Sequence, residues 1–319
     1  MQVTSNTRAF VEAEQYSSFI LQNLHDGLLH EAFYRNVTDF GSGDTLHIKT
    51  IGTVTIQEAA EDTPLVYNPI ETGEITMQMT DYLGDAWYVT DDIREDGTDI
   101  DRLMAERASE STRAFQENHE TRFFEVLNAA QTDADANVIN GFPHRIASAV
   151  ATSGHENTFS LDHLIAMRLA FRKANVPSEG NVFICDGTVE ATLNSLVTIT
   201  HDVTPFGQKL LEGGMARGMK FVMNLFDWNI ITSNRLEVGS FGDGTTSIAT
   251  NGVANIFMNV LDDQTKPAML AWRRMPKSEG ERNKDRARDE FVVRSRYGWG
   301  IQRVDTLGVI ITDGTKYYE

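Results

Sequence analysis

The stretch that decides the fold reads DTLHIKTIGTVTIQ at residues 44–57 and TGEITMQM at residues 72–79, with a turn-prone segment between the two arms. Apolar residues alternate with polar ones along each arm, and this alternation predicts two half-buried strands. The alternating residues are Leu46, Ile48, Val54 and Ile56 in the first arm and Ile75, Met77 and Met79 in the second. Residues 44–90 are therefore predicted to form a long antiparallel hairpin.

A hairpin of this kind is marginally stable by itself in water, because two largely polar strands bury too little apolar surface. Its tip contains the turn-prone residues Glu61, Asp62 and Pro64. If no part of the same chain covers the arms, another subunit must cover them. The first functional inference is therefore assembly rather than catalysis.

The elements on both sides of the hairpin are predicted to be helical. Residues 7–36 have apolar residues spaced three and four apart, which is typical of a helical arm. After the hairpin, Asp99 is placed to cap a helix that continues to about Ala130. Its apolar stripe is interrupted by polar residues, which favours an extended strut over a buried core helix.

The remaining two thirds of the chain mix strands and helices without the regular alternation of a doubly wound sheet, so the predicted fold class is α+β. We expect helices at Leu161–Ala174 and Gly187–Val197, and an exposed or mobile loop at 276–289, which is nearly devoid of apolar residues. The predicted strands are 181–185, 219–224, 228–232, 253–261, 268–274, 290–296, 299–304 and 307–312.

Charge is distributed unevenly along this chain of formal net charge −18. Residues 61–101 contain twelve acidic residues and one basic residue, Arg94, whereas Lys and Arg crowd the segment 273–303. The overall acidity opposes nonspecific binding to nucleic acid. Copies of the chain could instead bring the acidic hairpin and the basic segment together head to tail, the alternative being two solvated surfaces that never meet.

The composition describes a folded protein made in a reducing cytoplasm. The 41% hydrophobic content suffices for a sizeable core. The first twenty residues lack the features of a secretory signal, and no run of apolar residues is long enough to span a membrane. Cys185 is the single cysteine and lies in an apolar run, so a buried, inert thiol is expected.

No constellation of residues predicts catalysis, a cofactor or a metal ion. The glycine-rich segment 213–218 lacks the preceding strand and the lysine of a phosphate loop. His119 has no second histidine one turn away, so a surface position on the strut is expected for it. Tyr82, Trp87 and Tyr88 are expected to anchor the base of the hairpin on the core.

The order of the parts described above, which is arm, hairpin, long helix and mixed α+β region, is accompanied by local sequence patterns in the second half of the chain. They are Ala174-Asn175-Val176-Pro177 before the strand 181–185, Gly218 to Val222 running into Phe226 to Leu236, and Tyr297-Gly298-Trp299-Gly300 before Leu307 to Thr312. In this order they resemble the tailed-phage major capsid proteins of the Hong Kong 97 fold. The resemblance covers nearly the whole chain by architecture.

The resemblance implies a division of the chain into five regions. These are an N-terminal arm (1–43), an extended hairpin loop (44–90), a peripheral domain (91–184) that includes a spine helix (99–130), an axial domain (185–285), and a return to the peripheral domain (286–319). Some family members carry a scaffolding segment before the arm; this chain begins almost at the arm, which implies a separate scaffolding protein or prior processing.

The resemblance also implies a non-enzymatic shell subunit that forms pentamers and hexamers, assembles in the host cytoplasm with a portal protein, and encloses double-stranded DNA in the virion. No membrane is involved. With the charge pattern, it suggests that the hairpin of one copy contacts the basic segment of the next. The candidate contact residues are Lys49, Glu58, Glu61, Asp62, Arg273, Arg274, Arg294 and Arg296.

Two other functions stay open from the sequence. An encapsulin-like compartment shares the fold but encloses a cargo enzyme, so the contents of purified particles would separate the two. A soluble hydrolase that uses scattered carboxylates would be a discrete monomer with a deep pocket, which light scattering would reveal.

Overall fold

The computed structural model describes residues 31–37, 45–52, 56–58, 72–96, 100–130, 138–200, 221–225 and 227–317. The helices are α1 (Asp91–Asp96), α2 (Ile100–Ala130), α3 (Leu161–Lys173) and α4 (Gly187–Thr200). The strands are β1 (Arg35–Val37), β2 (Thr45–Ile51), β3 (Thr72–Gln78), β4 (Asp81–Thr90), β5 (Val138–Ile139), β6 (Phe142–Pro143), β7 (Arg145–Ala147), β8 (Asn181–Cys185), β9 (Phe221–Leu225), β10 (Trp228–Thr232), β11 (Val238–Gly242), β12 (Ser247–Asn259), β13 (Ala268–Asn283), β14 (Arg288–Ile301) and β15 (Leu307–Asp313).

A seven-stranded sheet forms the centre of the molecule, in the order β7-β15-β12-β8-β10-β9, with β11 paired to β12. All five residues of β8 are buried, because helices cover both faces of the sheet. Val182 and Ile184 pack into the cluster that includes α2, whereas Phe183 and Cys185 pack against α3 and α4. The prediction of a strand at 181–185, between two helices in the sequence, is confirmed.

A second sheet of four strands, in the order β1-β13-β14-β4, lies beside the first. Alternate residues of β13 serve two different cores. Leu270 joins the cluster that contains Phe123 and Phe124 of α2. Met269 and Ala271 belong to a smaller cluster with Met77 and Met79 at the end of the β2–β3 hairpin. This sheet therefore connects the long helix to the hairpin.

The long helix and the α+β class are confirmed, and α3 begins where predicted. The backbone N–H of Ser160 donates to Nδ1 of His163 at 3.1 Å, which supports the start of α3. Residues 7–30 of the predicted N-terminal helix lie outside the described residues. From Glu31 to Phe33 the chain is a 3₁₀ turn and then strand β1, so the prediction of a helix to residue 36 was wrong there.

The prediction of a loop at 276–289 was wrong, although most of its side chains are exposed as expected. β13 and β14 continue as an antiparallel hairpin as far as the pair Asn283 and Arg288. Charged side chains pair across the strands and with α1, so the hairpin forms with few apolar residues. Residue 285, the predicted end of the axial domain, lies in the turn of this hairpin.

The prediction that residues 44–90 form one hairpin was wrong for residues 81–90. Only β2 and β3 pair with each other, whereas β4 pairs along its length with β14. Trp87 anchors β4 by stacking on Phe291, with ring centroids 5.7 Å apart. Tyr82 and Tyr88 are 59% and 57% exposed, so they do not anchor the hairpin on the core as expected. Side chains alternate along a strand, which places these tyrosines on the face opposite Trp87.

Candidate functional site: the assembly surfaces

The β-ribbon is the pair of strands β2 and β3, which form a two-stranded sheet of their own among the described residues. Ile48 lies opposite Ile75, and Lys49 lies opposite Glu74. Most of its side chains are exposed or half-buried, as the sequence predicted for an arm that extends from the body. Ile56, beyond the described end of β2, is 97% exposed. Most of the ribbon is therefore left for another molecule to cover.

The root of the β-ribbon is fixed to its own chain. Met77 and Met79 are only 1% and 5% exposed, and they pack on Met269 and Ala271. Burying a methionine side chain contributes about 1.5–3 kcal/mol. From the sequence, another subunit is required to cover the arms if no part of the same chain does so. The same chain covers the root, so this requirement applies only to the part of the ribbon beyond the root.

Two glycines of β14 allow the root to approach this closely. A Cβ at position 298 would lie 2.3 Å from the carbonyl oxygen of Gln78, and a Cβ at position 300 would lie 2.8 Å from Sδ of Met77. Glycine inside a strand is a known signal of close backbone approach. The sequence motif Tyr297-Gly298-Trp299-Gly300 thus carries a packing function that sequence reasoning missed.

Three of the predicted contact residues meet on the β13–β14 hairpin. Arg274 lies directly opposite Arg296, and Lys277 lies directly opposite Arg294. We call Arg274, Lys277, Arg294 and Arg296 the basic cluster. Arg274 also forms an ion pair with Glu279 at 2.6 Å. Like charges placed opposite each other across two strands are destabilising, so the basic cluster is suited to receive an acidic partner.

The other predicted contact residues are distributed as follows. Lys49 and Glu58 are exposed on and beside the β-ribbon, and Arg273 is exposed next to a register shift that precedes Arg274. Glu61 and Asp62 lie outside the described residues. The structure brings together the arginines at 274, 294 and 296, and it places Lys49 on a different sheet, the β-ribbon.

The acidic stretch 61–101 is not a single acidic surface. Asp85 pairs with Arg107 of α2 at 2.9 Å, and Asp81 lies 3.9 Å from Arg122 of the same helix. These two carboxylates therefore hold β4 against the long helix instead of belonging to the ribbon. The acidic surface that a neighbouring copy can meet is smaller than the sequence indicated.

Part of the basic segment is also neutralised within the chain. Arg282 makes two hydrogen bonds to the carboxylate of Asp91 in α1, at 2.5 and 2.6 Å, and Arg94 pairs with Asp289. The hydrogen bonds from Arg282 lower the pKa of Asp91. We call these four residues the tip network, since they tie the end of the β13–β14 hairpin to α1.

Replacing Arg282 with Gln is expected to loosen the hairpin tip without unfolding the protein, because these ion pairs are solvent-exposed. Amide hydrogen exchange should accelerate at residues 280–290 and stay unchanged in β8. The matched control is Arg303→Gln, which removes an arginine from outside the tip network. Equal exchange in both variants would contradict the role given to the tip network.

His119 was expected on the surface of the helix, and this prediction was wrong. Its ring stacks on Trp272 with centroids 5.4 Å apart and contacts Trp299 at 4.7 Å. Burial lowers the pKa of His119 to about 4, so the ring is neutral at physiological pH. Its Nε2 atom is buried without a hydrogen-bond partner among the described residues. A partial signal existed in the aromatic residues Phe115 and Phe123, which lie four positions away on either side.

The described ranges contain no group of three or more His, Cys, Asp or Glu side chains that could hold a metal ion. Within the same ranges, the helices lack the combination of length and apolar character that membrane crossing requires. Cys185 is fully buried in the core as expected, and burial raises the pKa of its thiol.

Both a protein-family model and solved structures show that this chain is similar to phage capsid proteins. Residues 73–312 match the model of a family described as "Phage capsid protein". The capsid protein of cyanophage P-SCSP1u has a TM-score of 0.72 and 16% identity, with 95% of this chain and 93% of that chain covered. The mature capsid protein of bacteriophage PhiM1 has a TM-score of 0.70 and 11% identity, with coverage of 94% and 91%. No curated protein sequence matches significantly.

Proposed function

Because the chain belongs to the phage capsid protein family and has the Hong Kong 97-type fold, we infer that it is the major capsid protein of a tailed bacteriophage. Its copies assemble as pentamers and hexamers into an icosahedral shell around the double-stranded genome. The observation that carries the assembly is the β-ribbon, a two-stranded sheet whose root is fixed on its own body and whose remaining length is exposed.

In the proposed shell, the β-ribbon of one subunit lies over the basic cluster of the next. The segment that joins β2 to β3 in sequence brings carboxylates at Glu58, Glu61 and Asp62, and the basic cluster brings four cationic side chains in opposed pairs. Attraction between such surfaces fixes the register of neighbouring subunits and speeds their encounter. The division into arm, hairpin loop, peripheral domain and axial domain belongs to this proposal, with the β13–β14 hairpin kept whole.

The other partners follow from the role of a head protein. A separate scaffolding protein and a portal protein take part in assembly in the host cytoplasm, and the mature subunit resides in the virion. The net charge of −18 keeps the shell from holding the genome tightly, because carboxylates repel phosphates. The subunit acts as a structural protein and performs no catalysis.

Electron microscopy of the expressed chain, with and without a co-expressed scaffolding protein, tests the proposal. Closed shells of pentamers and hexamers are the expected result. Shells that contain a folded enzyme in place of DNA during phage growth would favour an encapsulin-like compartment instead. A discrete monomer under all conditions would overturn the proposal.

Charge reversal of the acids between β2 and β3, Glu58→Lys with Glu61→Lys and Asp62→Lys, is expected to weaken capsomer contacts. The loss should depend on salt, because screening reduces the new repulsion from the basic cluster. Assembly yield, measured by light scattering across a range of salt concentrations, checks this. Glu179→Lys, an exposed charge reversal outside the ribbon, is the control. Unchanged assembly at both low and high salt would refute the contact.

A further inference from the structure

A cavity of about 450 Å³ lies between the long helix α2 and the four-stranded sheet. Met275 lines this cavity and is 67% exposed, so the cavity opens to solvent there. Small-molecule sites in proteins have volumes of about 300–1,000 Å³ and combine an apolar wall with a few polar groups. The aromatic part of the wall includes Tyr34, Phe115, Phe123, Trp272 and Tyr297.

Two polar atoms of the cavity wall have no hydrogen-bond partner among the described residues. They are Nε2 of His119 and the hydroxyl oxygen of Ser295. Both atoms are buried, and Ser295 as a whole is 0% exposed. Folded proteins rarely leave buried polar atoms unpaired, because burial removes their hydrogen bonds to water. Two such atoms in the wall of one cavity therefore indicate a ligand that carries a polar group.

His119 and Ser295 reach the cavity from opposite sides. The ring of His119, on α2, contacts the ring of Tyr297, with centroids 5.2 Å apart. Ser295 precedes Tyr297 by two residues on β14, so both side chains lie on the same face of that strand. This is the face of the sheet on which α2 packs. The helix and the sheet thus each supply one unpaired polar atom.

We propose that this cavity binds a small, uncharged aromatic alcohol, whose ring packs on the aromatic wall and whose hydroxyl group hydrogen-bonds with His119 and Ser295. A hydroxyl group both donates and accepts, so it suits a serine hydroxyl and either tautomer of a neutral imidazole. A ligand ring gains stacked or edge-on contacts with the rings of the wall. The site lies within one subunit and does not depend on the function proposed above.

The charges in the wall favour a neutral ligand. Glu120, the charged residue among the described lining residues, pairs with Arg235 at 3.4 Å, so it requires no cationic ligand. Burial holds the pKa of His119 at about 4, so its ring is neutral at physiological pH and provides no counter-charge for an anion. A charged ligand would lose its hydration without gaining an unpaired counter-ion.

Equilibrium dialysis of the full-length protein against three compounds tests the site. 2-Naphthol is an aromatic alcohol, naphthalene lacks the hydroxyl group, and 2-naphthoate carries a negative charge. 2-Naphthol should bind about tenfold more tightly than naphthalene, because its hydroxyl group pairs with the two buried atoms, and 2-naphthoate should bind most weakly. Equal affinities for 2-naphthol and naphthalene, tightest binding of 2-naphthoate, or no binding of any compound would overturn the proposal.

Substitution of the two polar residues locates the binding in this cavity. Ser295→Ala should reduce the preference for 2-naphthol over naphthalene to about threefold, and addition of His119→Phe should remove it. Naphthalene should still bind Ser295→Ala, which shows that this variant is folded.

Thr306→Val is the matched control, because it removes another buried hydroxyl group that has no partner among the described residues and lies outside the cavity wall. This control should keep the preference of the natural protein for 2-naphthol. An unchanged preference in Ser295→Ala, or an equal loss in Thr306→Val, would contradict the proposed site.

Discussion

A Gly298→Ala variant is expected to detach the root of the β-ribbon and to abolish shell assembly. The new methyl group would lie 2.3 Å from the carbonyl oxygen of Gln78 and 3.1 Å from Cα of Met79. Both atoms belong to the backbone, so β3 must move away as a unit. We expect the free energy of unfolding to fall by about 1–3 kcal/mol, as for other overpacked sites. The larger effect is on assembly, because the whole ribbon pivots at this root.

Substitutions at two other glycines should have smaller effects than Gly298→Ala. At Gly300 the added Cβ meets the side chain of Met77, which can shift, so Gly300→Ala should be milder. At Gly84, on the same sheet, the nearest atom would be 3.6 Å away, which is an ordinary contact. Hydrogen exchange at residues 72–78 and the yield of particles measure the three variants. Normal assembly of Gly298→Ala, or equal losses in Gly84→Ala, would contradict the role given to the root.

Those parts of the fold whose causes are local could be predicted from the sequence. The helix Ile100–Ala130 follows from its length and stripe, and α3 follows from Ser160 and the apolar spacing after it. The strand Asn181–Cys185 follows from its four consecutive apolar residues, Val182 to Cys185. In each case, the signal lies within the element itself or at its boundary.

Those parts whose causes are distant could not be predicted. The hairpin end at 276–289 lacks apolar residues, and it is held by ion pairs such as Arg282 with Asp91, which are 191 positions apart. Strand β4 lies within the range 44–90 that was predicted to form a single hairpin. What decides its partner is β14, more than two hundred residues later. Alternation predicts a strand but not its neighbour.

The candidate site, too, could be predicted from the sequence only in part. The sequence located the basic residues Arg274, Arg294 and Arg296, but only the register of β13 and β14 places like charges opposite each other. Arg274 and Arg282 each pair with a carboxylate of the same chain, Glu279 and Asp91 respectively, so it is the opposition of like charges that distinguishes the basic cluster. The charge count alone treated both kinds of arginine as equivalent. A surface for an acidic partner therefore depends on pairing that no local pattern encodes.

Acidification from pH 6.5 to pH 4 is expected to destabilise the protein through His119. Burial lowers the pKa of His119 from an ordinary value of 6.5 to about 4, so the unfolded chain binds a proton in this range and the folded chain does not. The contribution of neutral His119 to the free energy of unfolding is therefore fully present above pH 6.5 and is lost as the pH falls toward 4. The free energy of unfolding falls by at most about 3 kcal/mol through this effect.

The surroundings of His119 explain why its pKa is lowered. Its ring faces Trp272 and Trp299 and the rings of Tyr34 and Tyr297, while Glu120 is the one carboxylate among the described residues that line the cavity. Glu120 already pairs with Arg235 of another segment at 3.4 Å. Burial also raises the pKa of Tyr297, so its hydroxyl stays neutral throughout this range. Protonation would thus place a charge among aromatic rings and open the contact between α2 and the sheet.

His119→Phe is the variant that isolates this effect, since phenylalanine keeps the stacking on Trp272 and cannot titrate. Denaturant unfolding measured at intervals from pH 7 to pH 4 should give a shallower decline for this variant than for the natural protein. Some decline should remain, because burial also lowers the pKa of His144 and His163. Coinciding curves for His119→Phe and the natural protein would show that His119 is free to accept a proton in the folded state.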